Sequence, residues 1–289
     1  MPELQKGHVW EDYRHKVQYP VLAEYKIDEI RVHAKIVDAD VPHVQFVSYA
    51  GKPLHNLLVY SWQMFDLMKA MQVRELDLGF EVNANFNDSY RWVRSSKGLP
   101  EDLANADVQF NLYDVPDPEW AFYRTPYIER KHRITDIAYK ALSYGIPMYV
   151  LQHTYCVDED QVHEAYARAR DAGKEGLMIK TAQHLYQRGK RTKDWLKLKP
   201  ELDFDGVITG INQAIAEDGT PHNRAGSVNV QCEDGSVAKP HGIPHELGTR
   251  MWNHPEEFVG QWCECTAMER DRQGGYRHPV WGRMREAKS

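Results

Sequence analysis

Lys174-Glu175-Gly176-Leu177-Met178-Ile179-Lys180 and, one basic loop later, Asp194-Trp195-Leu196-Lys197-Leu198-Lys199-Pro200 are the stretches on which the fold of this 289-residue chain turns. The first sets an acid after a helix, then an apolar strand ending in a lysine. Asp158 can cap that helix, which runs through Val162, Ala165, Tyr166 and Ala169, and Gly173 can end it before the strand Gly176 to Ile179. In the second stretch strand alternation puts Lys197 and Lys199 on one face, Leu196 and Leu198 on the other. Two ammonium groups on one face repel each other. Either that face is wet, or a phosphate lies between them and offsets the repulsion.

Upstream, Val21 to Lys26, Val32 to Val37 and Val44 to Tyr49 are short and rich in branched residues, as strands of an antiparallel sheet are. Trp62, Phe65, Met68 and Met71 recur at helical spacing between Tyr60 and Val73, and Ile128 to Tyr144 reads as a second helix stopped by Gly145. Downstream of Pro200, an acidic turn from Glu201 to Gly206 leads into strand-like runs at Val207 to Gly210, Ser227 to Gln231, Trp262 to Ala267 and Val280 to Met284, with a helix near His245 to Trp252. The rhythm fits a small β-barrel of the OB type. The spacing predicts an α+β chain divided near residue 203.

With 42% hydrophobic and 27% charged residues, and no apolar run near the roughly 20 residues that span a bilayer, the composition is that of a soluble enzyme and not of a membrane protein. The charged N-terminus has no signal-peptide core, so the expected location is the cytoplasm. Cys156, Cys232, Cys263 and Cys265 lack zinc-site spacing and read as reduced, buried thiols. The net charge of −6 argues weakly against nucleic acid, yet Lys180, Arg188, Lys190, Arg191, Lys193, Lys197 and Lys199 crowd one stretch against Asp194 alone. Taken by itself such a run is more often a solvated face.

Lys26-Ile27-Asp28-Glu29-Ile30-Arg31 closes a predicted strand, and alternation would turn Lys26 and Asp28 into one pocket. A free lysine, with a pKa near 10.4, is neutral in only about one molecule in a thousand at neutral pH, so a nucleophilic lysine needs burial or neighbouring cations. In order, Lys-x-Asp-x-x-Arg, Glu-Gly-Leu-Met-Ile-Lys and Trp-Leu-Lys-Leu-Lys, followed by a small β domain, resemble motifs I, IV and V of the ATP-dependent DNA ligases, within the covalent nucleotidyltransferases. Ala23-Glu24 and Tyr186-Gln187-Arg188-Gly189-Lys190 make the chain most similar to the small bacteriophage ligases. Arg277-His278-Pro279 and Arg285 to Lys288 look like motif VI.

The resemblance implies an antiparallel-sheet nucleotidyltransferase (adenylation) domain over 1–203 and an OB-fold domain over 204–289. It makes Lys26 the nucleophile that takes AMP from ATP, with Lys197 and Lys199 at the phosphate. Arg31 and Glu81 would hold the ribose, Tyr113 would stack on adenine and Glu24 would accept from its amino group. Lys180 would join the nucleotide contacts, and Arg285 and Lys288 would meet the departing pyrophosphate. Glu175 would hold Mg2+, or Mn2+ in its place. Arg188, Lys190, Arg191 and Lys193 would touch the backbone of nicked double-stranded DNA, the chain acting as a monomer in the cytoplasm, the host's if a phage encodes it. The second domain would close over ATP and swing away to admit DNA.

Glu29 stands where motif I of the family has glycine, Phe80 where motif III has glycine, Tyr49 where motif Ia has arginine and Ala287 where motif VI has aspartate. Three other readings stay open: an RNA ligase or capping-type nucleotidyltransferase with the same lysine chemistry, a non-catalytic nick-binding protein motivated by Glu29, and a basic β-barrel that binds single strands.

Overall fold

The computed structural model describes residues 3–96, 98–216, 218–270 and 273–285, and the chain divides into two units, Met1–Leu198 and Lys199–Ser289. The first unit runs β1 (Lys6–Val9), α1 (Trp10–Tyr13), β2 (Val21–Lys26), β3 (Ile30–Val37), β4 (His43–Ser48), α2 (Ser61–Ala70), β5 (Glu75–Val82), α3 (Phe86–Arg94), β6 (Val108–Asp114), α4 (Tyr127–Leu142), β7 (Met148–Tyr149), β8 (His153–Cys156), α5 (Glu159–Asp171), β9 (Gly176–Thr181) and β10 (Arg191–Leu198). Two five-stranded sheets result, ordered β1-β10-β9-β2-β8 and β4-β3-β5-β6-β7. Pairing is antiparallel except for β1 on β10 and β7 on β6.

Alternation explains what each sheet does with its two faces. In the first sheet Val21, Ala23, Leu177, Ile179, Leu196 and Leu198 pack outward on Trp10 of α1 and on Val162, Ala165 and Ala169 of α5. In the second, Val32, Ala34, Leu76, Leu78, Phe80, Phe110 and Leu112 pack on Met64, Leu67 and Met68 of α2 and on Ile134 and Ile137 of α4. The intervening residues therefore line the opposite faces: Glu24, Lys26, Lys180 and Lys197 on one sheet, Arg31, Asp77, Glu81, Asn111 and Tyr113 on the other. These polar faces approach each other. Lys180 Nζ lies 3.5 Å from the carbonyl of Tyr113, and the Arg31 guanidinium lies 5.9 Å from the Trp195 ring.

Helix α5 begins as its sequence predicts, with the Asp158 side chain accepting from the Gln161 amide at 2.9 Å, and Gly173 turns the chain at φ +70° after its last turn. Helix α2 departs from its spacing at one position. Met64, Leu67 and Met68 are buried and Phe65 and Met71 pack half-buried on the same core, whereas Trp62 is 61% exposed, so the predicted stripe faces the core except at Trp62. Strand β2 ends at Lys26, and Asp28 lies in the connection to β3, so alternation does not govern that pair. Strand β1 has no counterpart in the sequence reading.

The second unit runs β11 (Leu202–Ile215), β12 (Pro221–Cys232), β13 (Val237–Ala238), α6 (His245–Asn253), β14 (Trp262–Ala267), β15 (Glu269–Arg270), β16 (Tyr276–Arg277) and β17 (Val280–Met284). Strand β11 starts just ahead of residue 203. Its sheet is ordered β13-β12-β11-β14-β17, and β15 and β16 form a separate hairpin. Phe204, Ile208, Val228, Val230, Met251 and Trp281 build its core together with Cys263 and Cys265. All four cysteines are free and buried. His241 bridges to Ser227 of β12 on one side and to Val280 of β17 on the other. Among the described residues no helix is long and apolar enough to cross a membrane.

Arg130 of α4 ties the first unit together. It is fully buried and forms a bidentate pair with Asp114 at the end of β6, at 3.0 and 2.9 Å, while donating to the carbonyls of Thr125 at 2.6 Å and His184 at 3.2 Å. Removing one partner of a buried pair strands the other charge. Arg130→Ala should lower the unfolding free energy in urea by about 3–5 kcal/mol, and adding Asp114→Asn should recover part of the loss. A loss below about 1 kcal/mol would contradict this.

Candidate active site

Lys26 is the last residue of β2 and stands opposite Gly176, the first of β9. That register sets Glu175 beside it, and Lys26 Nζ pairs with Glu175 Oε2; the two side chains are 21% and 4% exposed. The end of α5 holds the acid in place, since Arg170 donates to the carbonyls of Lys174 at 2.8 Å and Glu175 at 3.0 Å. One row further along, Lys197 of β10 stands across from Met178, which stands across from Glu24. Burial, then Lys26, Arg191, Arg31 and Lys6, push the Lys197 ammonium down to about 8. Crowding of cations around a half-buried lysine is what an anionic ligand would relieve. Lys199 follows β10 and begins the second unit.

Behind this mouth is a network of buried charge. Glu24 Oε1 accepts from Tyr127 Oη at 2.6 Å and from Lys131 Nζ, and Glu24 Oε2 pairs with Lys180 Nζ at 2.7 Å. Burial would push the Glu24 carboxyl up, but Lys131 and Lys180 overcome it and hold it at about 2. Lys180 also accepts company from two rings, Trp195 at 4.4 Å and Tyr127 at 4.6 Å. Trp195 Nε1 donates to His184 Nε2 at 2.6 Å, and burial beside Arg130 pushes that imidazole down to about 3, so it stays neutral. Glu24 and Lys180, expected as direct nucleotide contacts, are thus committed to internal partners here.

The facing sheet carries the other expected contacts. Arg31 points its fork at Asp77, Nε to Oδ1 at 2.9 Å and an Nη to Oδ2 at 2.6 Å, and donates to the Gln5 carbonyl at 2.7 Å. Strand pairing aligns Arg31 with Gly79 and Gly79 with Asn111. Over Gly79 lies the Glu29 carboxylate, which would collide with any Cβ there. Tyr113 Oη donates to Glu29 Oε1, and Asn111 Nδ2 donates to Glu29 Oε2 at 2.8 Å and to Glu81 Oε1 at 3.3 Å. Burial pushes the Glu29 carboxyl up to about 7; Tyr113 and Asn111 oppose the rise, Glu81 adds to it and Lys26 opposes it.

The sequence reading missed Asp77, Asn111 and Met178, although alternation from Glu81, Tyr113 and Lys180 marks their faces. It also missed Lys6, whose ammonium lies 3.7 Å from the centre of the Tyr49 ring, because β1 joins the sheet through a pairing remote in sequence.

Of the basic loop, Lys190, Arg191 and Lys193 are exposed. Arg188 is turned inward: it donates to Glu75 at 2.8 Å and to the Pro116 carbonyl at 2.6 Å, and pairs with Glu3 at 3.3 Å, so its guanidinium is engaged within the first unit. Glu3, His33 and Glu75 come close enough to resemble metal ligands, but Lys35 and Arg188 already neutralise the two acids. In the second unit Arg285 pairs with Asp205 and, at 3.0 Å, with Glu264. Lys288 lies outside the described residues.

Residues 8–199 match the family model described as the ATP dependent DNA ligase domain. A curated relative, the DNA ligase of Enterobacteria phage T3, is 33% identical over 146 residues, 47% of this chain and 41% of that one. The chain's matches span less than half the length of the first curated relatives. The solved structure titled Pmar-Lig_PreS3 superposes with a TM-score of 0.74 at 21% identity, covering 98% of this chain and 67% of that one. The ATP-dependent DNA ligase from bacteriophage T7 in complex with ATP gives 0.56 at 18% identity, over 98% and 99%. These structures share the α+β fold.

An anion favours the charged form of Lys197, so bound phosphate raises its pKa and affinity is greatest below the free value. Calorimetry with inorganic tripolyphosphate should show binding about tenfold weaker near pH 9.5 than near pH 7.5. Lys197→Met should flatten that profile; a flat profile in the unchanged protein would count against the site.

Proposed function

The chain belongs to the ATP-dependent DNA ligase domain family, and from that premise we propose that it seals nicks between a 5′-phosphate and a 3′-hydroxyl in duplex DNA, carrying AMP on Lys26. The observation that carries the reading is the pairing of Lys26 with Glu175 at the mouth of a cleft whose next row presents Lys197.

In the first step Lys26 Nζ gives up a proton, for which Glu175 Oε2 is the acceptor already in contact, and its lone pair forms a bond to the α-phosphorus of ATP. The bond to the bridging oxygen breaks and pyrophosphate leaves with that electron pair. Lys197 and Lys199 face the charge that builds on the phosphate. In the second step the 5′-phosphate of the nick attacks the same phosphorus, the P–N bond breaks and AMP passes to the DNA. In the third the 3′-hydroxyl attacks the activated 5′-phosphate, closing the backbone and releasing AMP.

Glu175 also suits Mg2+ or Mn2+, because a hard cation takes carboxylate oxygen and fills its shell from phosphates and water, and this nearly solvent-free carboxylate already faces one cation. Such an ion would supply charge neutralisation at the α-phosphate. Arg31, Glu81 and Tyr113 form the nucleotide face, and Tyr113 offers its ring for stacking. Lys190, Arg191 and Lys193 offer exposed charge to DNA backbone, giving salt-sensitive and sequence-independent binding to a nick. We read the OB-fold domain expected over 204–289 as an OB-type barrel built on β11 to β17, supported by His241, which links the β12 side of the sheet to its β17 edge.

Sealing assays on nicked DNA and nicked RNA duplexes test this. The protein should close 5′-phosphate DNA nicks with ATP, and Lys26→Ala should abolish that activity while still closing nicks adenylated in advance, whose third step needs no nucleophilic lysine. Sealing confined to RNA, or sealing of 5′-phosphate nicks by Lys26→Ala, would overturn the proposal.

A further inference from the structure

Glu29 is a side chain that neither the fold nor the chemistry above requires, and it lies in the middle of the nucleotide face. Arg31, Gly79 and Asn111 form one row across β3, β5 and β6. Glu81 and Tyr113 flank that row. The Glu29 carboxylate covers the bare backbone of Gly79, accepts from Tyr113 Oη and takes the nearer of the two contacts made by Asn111 Nδ2, at 2.8 Å against 3.3 Å for Glu81. The hydrogen-bond donors of the face are thereby satisfied from within the chain.

We propose that Glu29 is an internal competitor for the nucleotide: its carboxylate occupies the floor made by Gly79, Asn111 and Tyr113, and ATP binds only by displacing it. The inference rests on the ligase reading, since it takes this face to be the ATP site. Three physical features support it. A carboxylate over Gly79 fills volume that a ribose or base would need. Its departure breaks two hydrogen bonds to a half-buried acceptor, which lowers the apparent affinity of whatever replaces it. While it stays, Glu29 and Glu81 set two acids beside an anionic ligand. The connection holding Glu29, between Lys26 and Ile30, lies outside regular strand, so the side chain can leave without breaking sheet hydrogen bonds.

Calorimetric titration of the full chain with ATP in EDTA, which withholds the divalent ion, tests the idea. Glu29→Ala should bind ATP about tenfold more tightly than the unchanged protein. Tyr113→Phe removes the hydroxyl that anchors Glu29 and keeps the ring, so it should also tighten binding, and should add nothing once Glu29 is alanine. Weaker or equal ATP binding in Glu29→Ala, in a protein that still takes label from α-labelled ATP on Lys26, would overturn the inference and leave the ligase reading standing. If neither protein binds ATP nor takes label, both fall.

Discussion

Lys180 is an ammonium with no access to water, and the arrangement of the first unit depends on how that charge is paired. An unpaired lysine in such a place would cost several kcal/mol. Here Glu24 on the neighbouring strand neutralises it, Tyr127 Oη lies 2.8 Å away, and the Tyr113 carbonyl on the opposite sheet completes its surroundings. Lys131 brings α4 onto the same carboxylate. The sheets are therefore joined through buried polar contacts on their facing sides, while their apolar faces pack outward on helices.

That inversion makes a cleft possible. Two sheets joined by apolar contact would bury their shared interface completely. Sheets joined at one end by a paired lysine, and by Arg130 reaching from Asp114 of β6 to the His184 carbonyl just past β9, can keep the rest of their facing surfaces polar. Lys26, Glu175 and Lys197 stand on one wall; Arg31, Glu81 and Tyr113 stand on the other. The buried pairs fix the walls, and Lys26, Lys197, Arg31, Glu81 and Tyr113 between them are half-buried. The depressed Lys197 ammonium and the raised Glu29 carboxyl show the same economy, in that both charges are held where only a partner would make them comfortable.

Much of this was legible in local pattern. Alternation in Trp195 to Leu198 and the run Gly176 to Ile179 mark two adjacent strands of one sheet, the capped helix from Asp158 packs on that sheet, and the motif order draws Lys26 and Glu175 together. What was not legible depends on pairings remote in sequence. Strand β1 reaches β10 across most of the first unit, so Gln5 and Lys6 gave no sign of lying beside Arg31 and Tyr49. Arg188 reads as one more cation of a basic loop until Glu3 and Glu75 are seen to bracket it. Trp62 fits a helical stripe by spacing, but the hydroxyl of Ser61 bonds both the amide and the carbonyl of Val44, at 3.1 and 3.0 Å, and turns α2 so that the indole faces out. Glu29 marks itself as a departure in sequence; only the bare backbone of Gly79 explains where its carboxylate goes.

The central claim is that Lys26 carries AMP. Incubating the full chain with ATP and Mg2+, digesting it and locating AMP by mass spectrometry tests that claim most directly. The account predicts AMP on the peptide bearing Lys26 and on no other lysine. AMP found elsewhere with Lys26 unmodified, or DNA sealed while no lysine acquires AMP, would contradict it.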